Sequence, residues 1–423
     1  MMNERNVITE RDTVFGTIAI IALAVCSLLA GFLPHNAVLA LAVAAISFLL
    51  VWKDELHLVF PFIIFYNDWY GMVFGMSVQR LFSLLLIFLF FVRRSRSRSV
   101  ALKYLAPLAV YFLYCLFVMS GYDTQSAIFS FLDVLCCVIL VSVFLLKDPF
   151  NLKRFFTAYA VAALCALVTG VMHKNLMIYG ILSRFLATFE DPNYMGFFYT
   201  VAIFAMVSLK LFKPWIRAVL TVFFYVAVFA SASLSAVIVN VVLWLIYITL
   251  TQRMRPSTLI LCLGGLALCL GLYSYGIAHP EDNIIGQISG RIHETLTDLK
   301  SGDLSGASTK RTEFAAEHLA YFMNLPFLQK LFGGTAVNTS VIDPVFEAAA
   351  HNEYVDMLLN VGVVGTVVLL WFFLKSLRSY FVSLIRTKNE HCLCLVMLKC
   401  IWLLYGLTLT VFMDDRFMLL FFL

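Results

Sequence analysis

Thr13 to Leu33 reads TVFGTIAIIALAVCSLLAGFL, twenty-one residues without a charge. A helix needs about 20 such residues to cross the roughly 30 Å hydrocarbon core of a bilayer. This stretch predicts a membrane-spanning helix. It lacks a convincing small-residue cleavage site and further apolar runs follow, so an uncleaved signal anchor is expected.

The same texture continues outward. Of 423 residues, 62% are hydrophobic and only 13% charged, whereas soluble domains sit near one half and one quarter. An ordinary water-soluble enzyme is excluded. Further runs at 37–52, 56–74, 78–92, 104–119, 127–146, 154–172, 194–209, 215–232, 234–250, 257–279, 352–374 and 392–412 give an all-α polytopic membrane protein of about 12–13 transmembrane helices in a single membrane domain, 1–423. The third and fourth runs are short and separated by Asn67, Asp68, Gly71 and Gly75, so one of them is a re-entrant candidate.

The net charge of +5 sits in short clusters between apolar runs, such as Arg93 to Arg98, which suits topology and anionic lipid and not nucleic acid. With the N-terminus in the cytoplasm, alternation places 20 of the 30 Lys and Arg on cytoplasmic loops and four on short outer loops. That bias orients the chain. The one long connection, 280–351, then lies outside the cytoplasmic membrane. Its start reads as polar and Gly-rich up to Gly306. Ser308 to Phe322 reads as a helix with Arg311, Ala315, His318 and Phe322 on one face, able to lie on the membrane surface. The ten cysteines show no CxxC spacing and suggest neither zinc nor a disulfide framework.

Three outer-face segments carry chemistry. In Ser183 to Asn193, Arg184 either pairs with Glu190 or Asp191 or faces a ligand, and Asn193 is a plausible N-cap for the helix that follows. In Ser308 to Phe314, Arg311 stands in a loop where Asp and Glu outnumber Lys and Arg nine to five. In His351 to Asp356, a histidine precedes a helix start whose amides suit an anion. That histidine is either a hydrogen-bonded interface residue or a proton carrier. Guanidinium forks grip phosphate oxygens bidentately, and histidine exchanges protons near neutrality. A phosphorylated lipid reacting at the outer face needs both.

The order Arg184, Phe189-Glu190-Asp191-Pro192-Asn193, then Lys310-Arg311-Thr312-Glu313 and Gly333-Gly334, then His351-Asn352-Glu353-Tyr354 ahead of Leu358 and Gly362 to Gly365 resembles the O-antigen ligase and Wzy-type O-antigen polymerase superfamily over about residues 180–370. The resemblance implies a GT-C-like membrane glycosyltransferase in the bacterial inner membrane, its active site facing the periplasm. It would use a glycan on undecaprenyl diphosphate as donor and a second glycan as acceptor, without metal or other cofactor. A chain-length regulator is a further partner. Arg184, Arg311 and His351 would be catalytic, with Asn193, Arg291, Asn352, Glu190 and Asp191 binding substrate. Polymerase is the first expectation and ligase, which transfers the glycan to a lipid A-core, the second. A flippase-type transporter would be expected to show repeats and mid-membrane polar groups, for which only Asp133 and Lys399 are candidates. A scaffold gives no reason for the three residues to share a compartment. Asp414-Asp415, followed by Arg416, is the nearest approach to a cation-binding pair.

Overall fold

The computed structural model describes residues 10–53, 55–72, 76–92, 100–117, 124–179, 182–251, 271, 273–279, 284–303, 310–333, 351–409 and 415–423. Its helices are α1 (Glu10–Phe32), α2 (Ala37–Trp52), α3 (Phe60–Tyr66), α4 (Val78–Val92), α5 (Leu105–Phe117), α6 (Thr124–Ile139), α7 (Pro149–His173), α8 (Pro192–Ser208), α9 (Pro214–Ala230) and α10 (Leu234–Thr251). After these come α11 (Ile284–Ser301), α12 (Arg311–Asn324), α13 (Phe327–Phe332), α14 (Glu353–Thr387), α15 (Glu390–Tyr405) and α16 (Asp415–Phe422). Among the described residues five helical stretches are long and apolar enough to cross a membrane: Val14–Phe32, Ala127–Leu145, Pro149–His173, Leu234–Thr251 and Glu353–Thr387. The protein is thus an α-helical membrane protein. The apolar run 257–279 and the basic cluster Arg93 to Arg98 fall largely or wholly outside the described residues.

The helix starts follow local chemistry. Asp148, Asn352 and Asn389 each accept a backbone N–H of the first turn, which an N-terminus cannot satisfy internally. Pro149, Pro192 and Pro214 occupy first-turn positions, where no donor is lost.

Five features depart from expectation. A two-stranded antiparallel hairpin, β1 (Leu176–Tyr179) and β2 (Leu182–Phe185), interrupts the all-α pattern and pairs Met177 with Arg184. The run 56–74 breaks into a 3-10 turn and the buried α3, whose seven residues span only about 10 Å. The supposedly Gly-rich 280–306 contains the 18-residue α11, and the C-terminal residues form α16. Finally α14 outruns its apolar stretch by more than three turns, Lys375 lying over the Trp371 ring at 4.6 Å one turn away.

The contacts group into two compact units, the first comprising residues up to Ala101 with Leu135–Asn175, the second Leu102–Val134 with Leu176–Leu423. In the first, α1 and α3 pack on α7. Small residues allow this: Ala19 and Ala30 on α1, with Ala158, Ala162 and Ala166 on α7, are buried, and a Cβ on Gly31 would press on Thr169. Glu55 is buried with both carboxylate oxygens on the guanidinium of Arg154, Nη2 at 2.7 Å from Oε2. Gly16 clears the space, since a Cβ there would overlap that guanidinium.

In the second unit α8 packs on α9 and α15, and α14 on α5, α13 and α15. Without a hydrophobic drive inside lipid, van der Waals fit and hydrogen bonds hold such helices. Trp402 of α15 stacks against Phe373 and Phe421 at 4.7 and 5.3 Å. Lys399, fully buried beside those same two phenylalanines, donates to the carbonyl of Phe421 and so fastens α16.

Candidate functional site

The sequence-predicted residues belong to the second unit, and they are placed by two sets of contacts. The first begins on β2. Arg184 donates from Nε to the carbonyl of Ser231 at 2.9 Å and from Nη2 to Oδ1 of Asn193 at 3.1 Å. Ser233 donates to the same Asn193 oxygen at 2.8 Å. The Ser231-Ala232-Ser233 turn between α9 and α10 is buried, with Ala232 at φ +49°. This turn, joining two helices with almost no loop, is what the hairpin arginine docks on.

One expectation is corrected here. Asn193 does not cap α8: Asp191 does, accepting from Asn193 N at 2.6 Å and Tyr194 N at 3.4 Å. With Pro192 at the first helical position, the cap lies two residues earlier than the expected Asn193. Asn193 is thereby freed to face Arg184. The contacts of Arg184 include a carbonyl and an amide, the Ser231 oxygen and the Asn193 side chain. Glu190 is exposed.

The second set forms around the C-terminal end of α15. Arg311, the first residue of α12, follows Lys310 at φ +63° and donates from Nη1 to the carbonyl of Thr408 at 3.1 Å. Glu353 N donates to Gly406 O at 2.8 Å and the Tyr354 hydroxyl to Leu403 O at 2.8 Å. Asn352 caps α14 by accepting from Tyr354 N and Val355 N at 3.1 and 3.2 Å. A helix C-terminus leaves carbonyls without partners and carries partial negative charge, which suits a guanidinium. Arg311 is therefore placed partly by the end of α15.

His351 joins the two sets. It is half-buried, just ahead of Asn352, at φ +48°. Burial holds its imidazole below the ordinary pKa, and the Arg311 guanidinium lowers it further; Asp191 pulls upward, and His318 of α12 pushes downward. Asp191 and Arg311, 120 residues apart, thus both lie within electrostatic reach of one ring. The neutral imidazole is favoured, the form that accepts a proton.

His318 and the turn serines are site residues that the sequence reading did not single out. His318 shared a helical face with Arg311, which was the available signal; it is buried and donates from Nδ1 to Phe314 O at 2.7 Å, leaving Nε2 as the acceptor of the neutral ring. The turn serines offered only their proximity to a helix junction. Arg291 lies on α11, which packs beside β2 and α9, but its side chain is outside the described residues. So is Asp414, with the side chains of Asp415 and Arg416. Among the described residues no three His, Cys, Asp or Glu side chains group as a metal site requires.

Chemically, the arrangement offers guanidinium donors oriented by dipoles, a neutral imidazole, and a carboxylate that begins a helix. Such a set can grip an anion and take up a proton. No family model matches the chain, and no curated protein sequence matches it.

Proposed function

We propose that this protein is a metal-independent membrane glycosyltransferase, an O-antigen-type polymerase. Its donor would be an oligosaccharide repeat unit on undecaprenyl diphosphate and its acceptor a second lipid-linked glycan. In this reading the chain has 12–13 spans in the bacterial inner membrane, is GT-C-like, and presents 280–351 and the site to the periplasm. The observation that carries the reading is that Arg311 and Asp191 both lie within electrostatic reach of the His351 ring, with Arg184 bonded to Asn193 two residues beyond Asp191.

In the reaction the bond from the sugar C1 to the diphosphate oxygen breaks, and that oxygen leaves with the electron pair. Arg184 and Arg311 stabilise the charge it gains; one preorganised donor of this kind is worth about 3 kcal/mol of barrier. The acceptor hydroxyl attacks C1 and passes its proton to His351, a base step worth roughly 100-fold or more. Because His351 is biased to the neutral form, it is ready to accept that proton without first losing one.

The test is the glycan phenotype of a deletion strain complemented with wild type or Arg311→Lys. Surface glycan limited to a single repeat, restored by wild type alone, is expected. Long chains accumulating on the lipid carrier would make the protein a ligase instead, and unchanged glycan in the deletion would remove the reading.

A further inference from the structure

In the connection between α11 and α14, the described helices α12 and α13 do not stand away from α14. Phe322 of α12 is buried against Leu359 of α14, with Val355 and Leu358 alongside. At the end of α13, Gly333 (φ +76°) meets the α14 backbone at Asn360 to Gly362. A Cβ on Gly333 would collide with the Asn360 carbonyl, and one on Gly362 (φ +67°) with the backbone of Leu331 and Gly333. Gly362 also breaks the helical dihedrals inside α14 at this docking point. The contact lies nine residues beyond Glu353, roughly 14 Å along the axis. That is close to half of a hydrocarbon core of about 30 Å.

Composition changes along the same path. Arg311 to His318 is mostly polar, whereas Leu319 to Phe332 is mostly apolar, with Lys330 its one charged residue. The later part leaves Leu319, Met323, Phe327, Leu328 and Phe332 exposed, Phe327 at 72%. On α14, beside the docking point, Val363, Val364, Val367 and Trp371 are exposed too. Those residues belong to a helix apolar enough to span, so the apolar surface of α13 continues a lipid-facing belt.

We infer that α12 and α13 form a re-entrant pair whose apolar end, Leu319 to Phe332, is embedded among the acyl chains of the leaflet where α14 begins. The backbone is compatible with that depth: Lys330 N bonds to Pro326 O at 3.0 Å and Gly333 N to Gln329 O at 2.8 Å, and irregular backbone is tolerated inside a membrane where protein covers it. The ammonium of Lys330 can reach outward on its flexible stem. The helix that holds Arg311 at its polar start is thereby anchored in lipid at its other end.

The test places a diazirine-bearing residue at Phe327 or Phe332 of the full-length chain in native membranes, with Trp371 as the lipid-facing reference. After illumination, phospholipid adducts at both positions, at yields within about twofold of the Trp371 reference, are expected. Water-quenched product alone would overturn the proposal, as would a cross-link to a second copy or to another protein. Should the analogue disturb folding, hydroxyl-radical footprinting of the unmodified protein in lipid nanodiscs decides: Met323 is expected to be protected at least fivefold relative to free methionine, and rapid oxidation there would overturn the assignment.

Discussion

Arg154 and Arg184 are both held by two guanidinium nitrogens, yet on unlike partners. Arg154 meets the two oxygens of a buried carboxylate, and its charge is cancelled where it sits. The contacts that orient Arg184 include a carbonyl and an amide, and those of Arg311 include the carbonyl of Thr408. A dipole can fix the direction of a guanidinium, whereas a carboxylate also cancels its charge. The first arrangement serves folding; under the proposed reaction the second would orient an arginine toward an arriving anion.

The largest effect should come from breaking the cancelled pair. Arg154→Met leaves Glu55 buried without its counter-charge and is expected to cost about 3–5 kcal/mol of stability, read from denaturant titration in detergent. Adding Glu55→Gln should restore a large part of it. Full stability in the single variant would erase the contrast. Next, Arg184→Lys and Arg311→Lys should each lower polymer formation about 100-fold with folded yield unchanged, because an ammonium cannot reproduce a planar fork. If either unfolds the protein instead, that arginine belongs with Arg154.

A smaller, graded effect concerns His351. Its neutral form is favoured, so a rate that depends on the base should be flat above pH 7. Below a value under about 6.5 it should fall up to tenfold per unit, as the ring takes up the proton it must be free to accept. A rate that rises on acidification would assign His351 to phosphate binding as imidazolium. His351→Gln, which cannot titrate, should flatten the profile at a low level; wild-type turnover by that variant would leave only positioning. The smallest change is Asn352→Ala, expected to remove about 1 kcal/mol of helix-capping stability, with little effect on the pH profile.

Much of this architecture was legible because one-dimensional signals suffice for it. Apolar runs announced α1, α2, α4 and α10 closely. The hairpin was hidden because four-residue strands between helices leave no period to count. For α11 the signal was present: Ile285, Ile288, Ile292, Leu296 and Leu299 recur at helical spacing, but Gly286 and Gly290 dominated the reading. The order of Arg184, Arg311 and His351 could be read from the chain. Their partners could not, since Ser231 O and Thr408 O are backbone atoms brought in by tertiary packing. The exchange of roles between Asp191 and Asn193 turned on one proline.

Away from the arginines, a polar ladder threads the second unit. Trp244 donates to the Tyr225 hydroxyl, which donates to Asn240 at 3.3 Å. Asn240 in turn donates to Thr200 at 2.7 Å, whose hydroxyl shares a bond of 2.9 Å with Tyr405. Four helices, α8, α9, α10 and α15, are thus pinned in register by bonds that no water is at hand to replace. A machine that rocked these helices past one another would have to break the ladder in every cycle. The bundle is instead suited to work as a fixed jig: under the proposed reaction, two lipid-borne chains would be brought to a stationary bench, joined, and slide away while the bench keeps its shape.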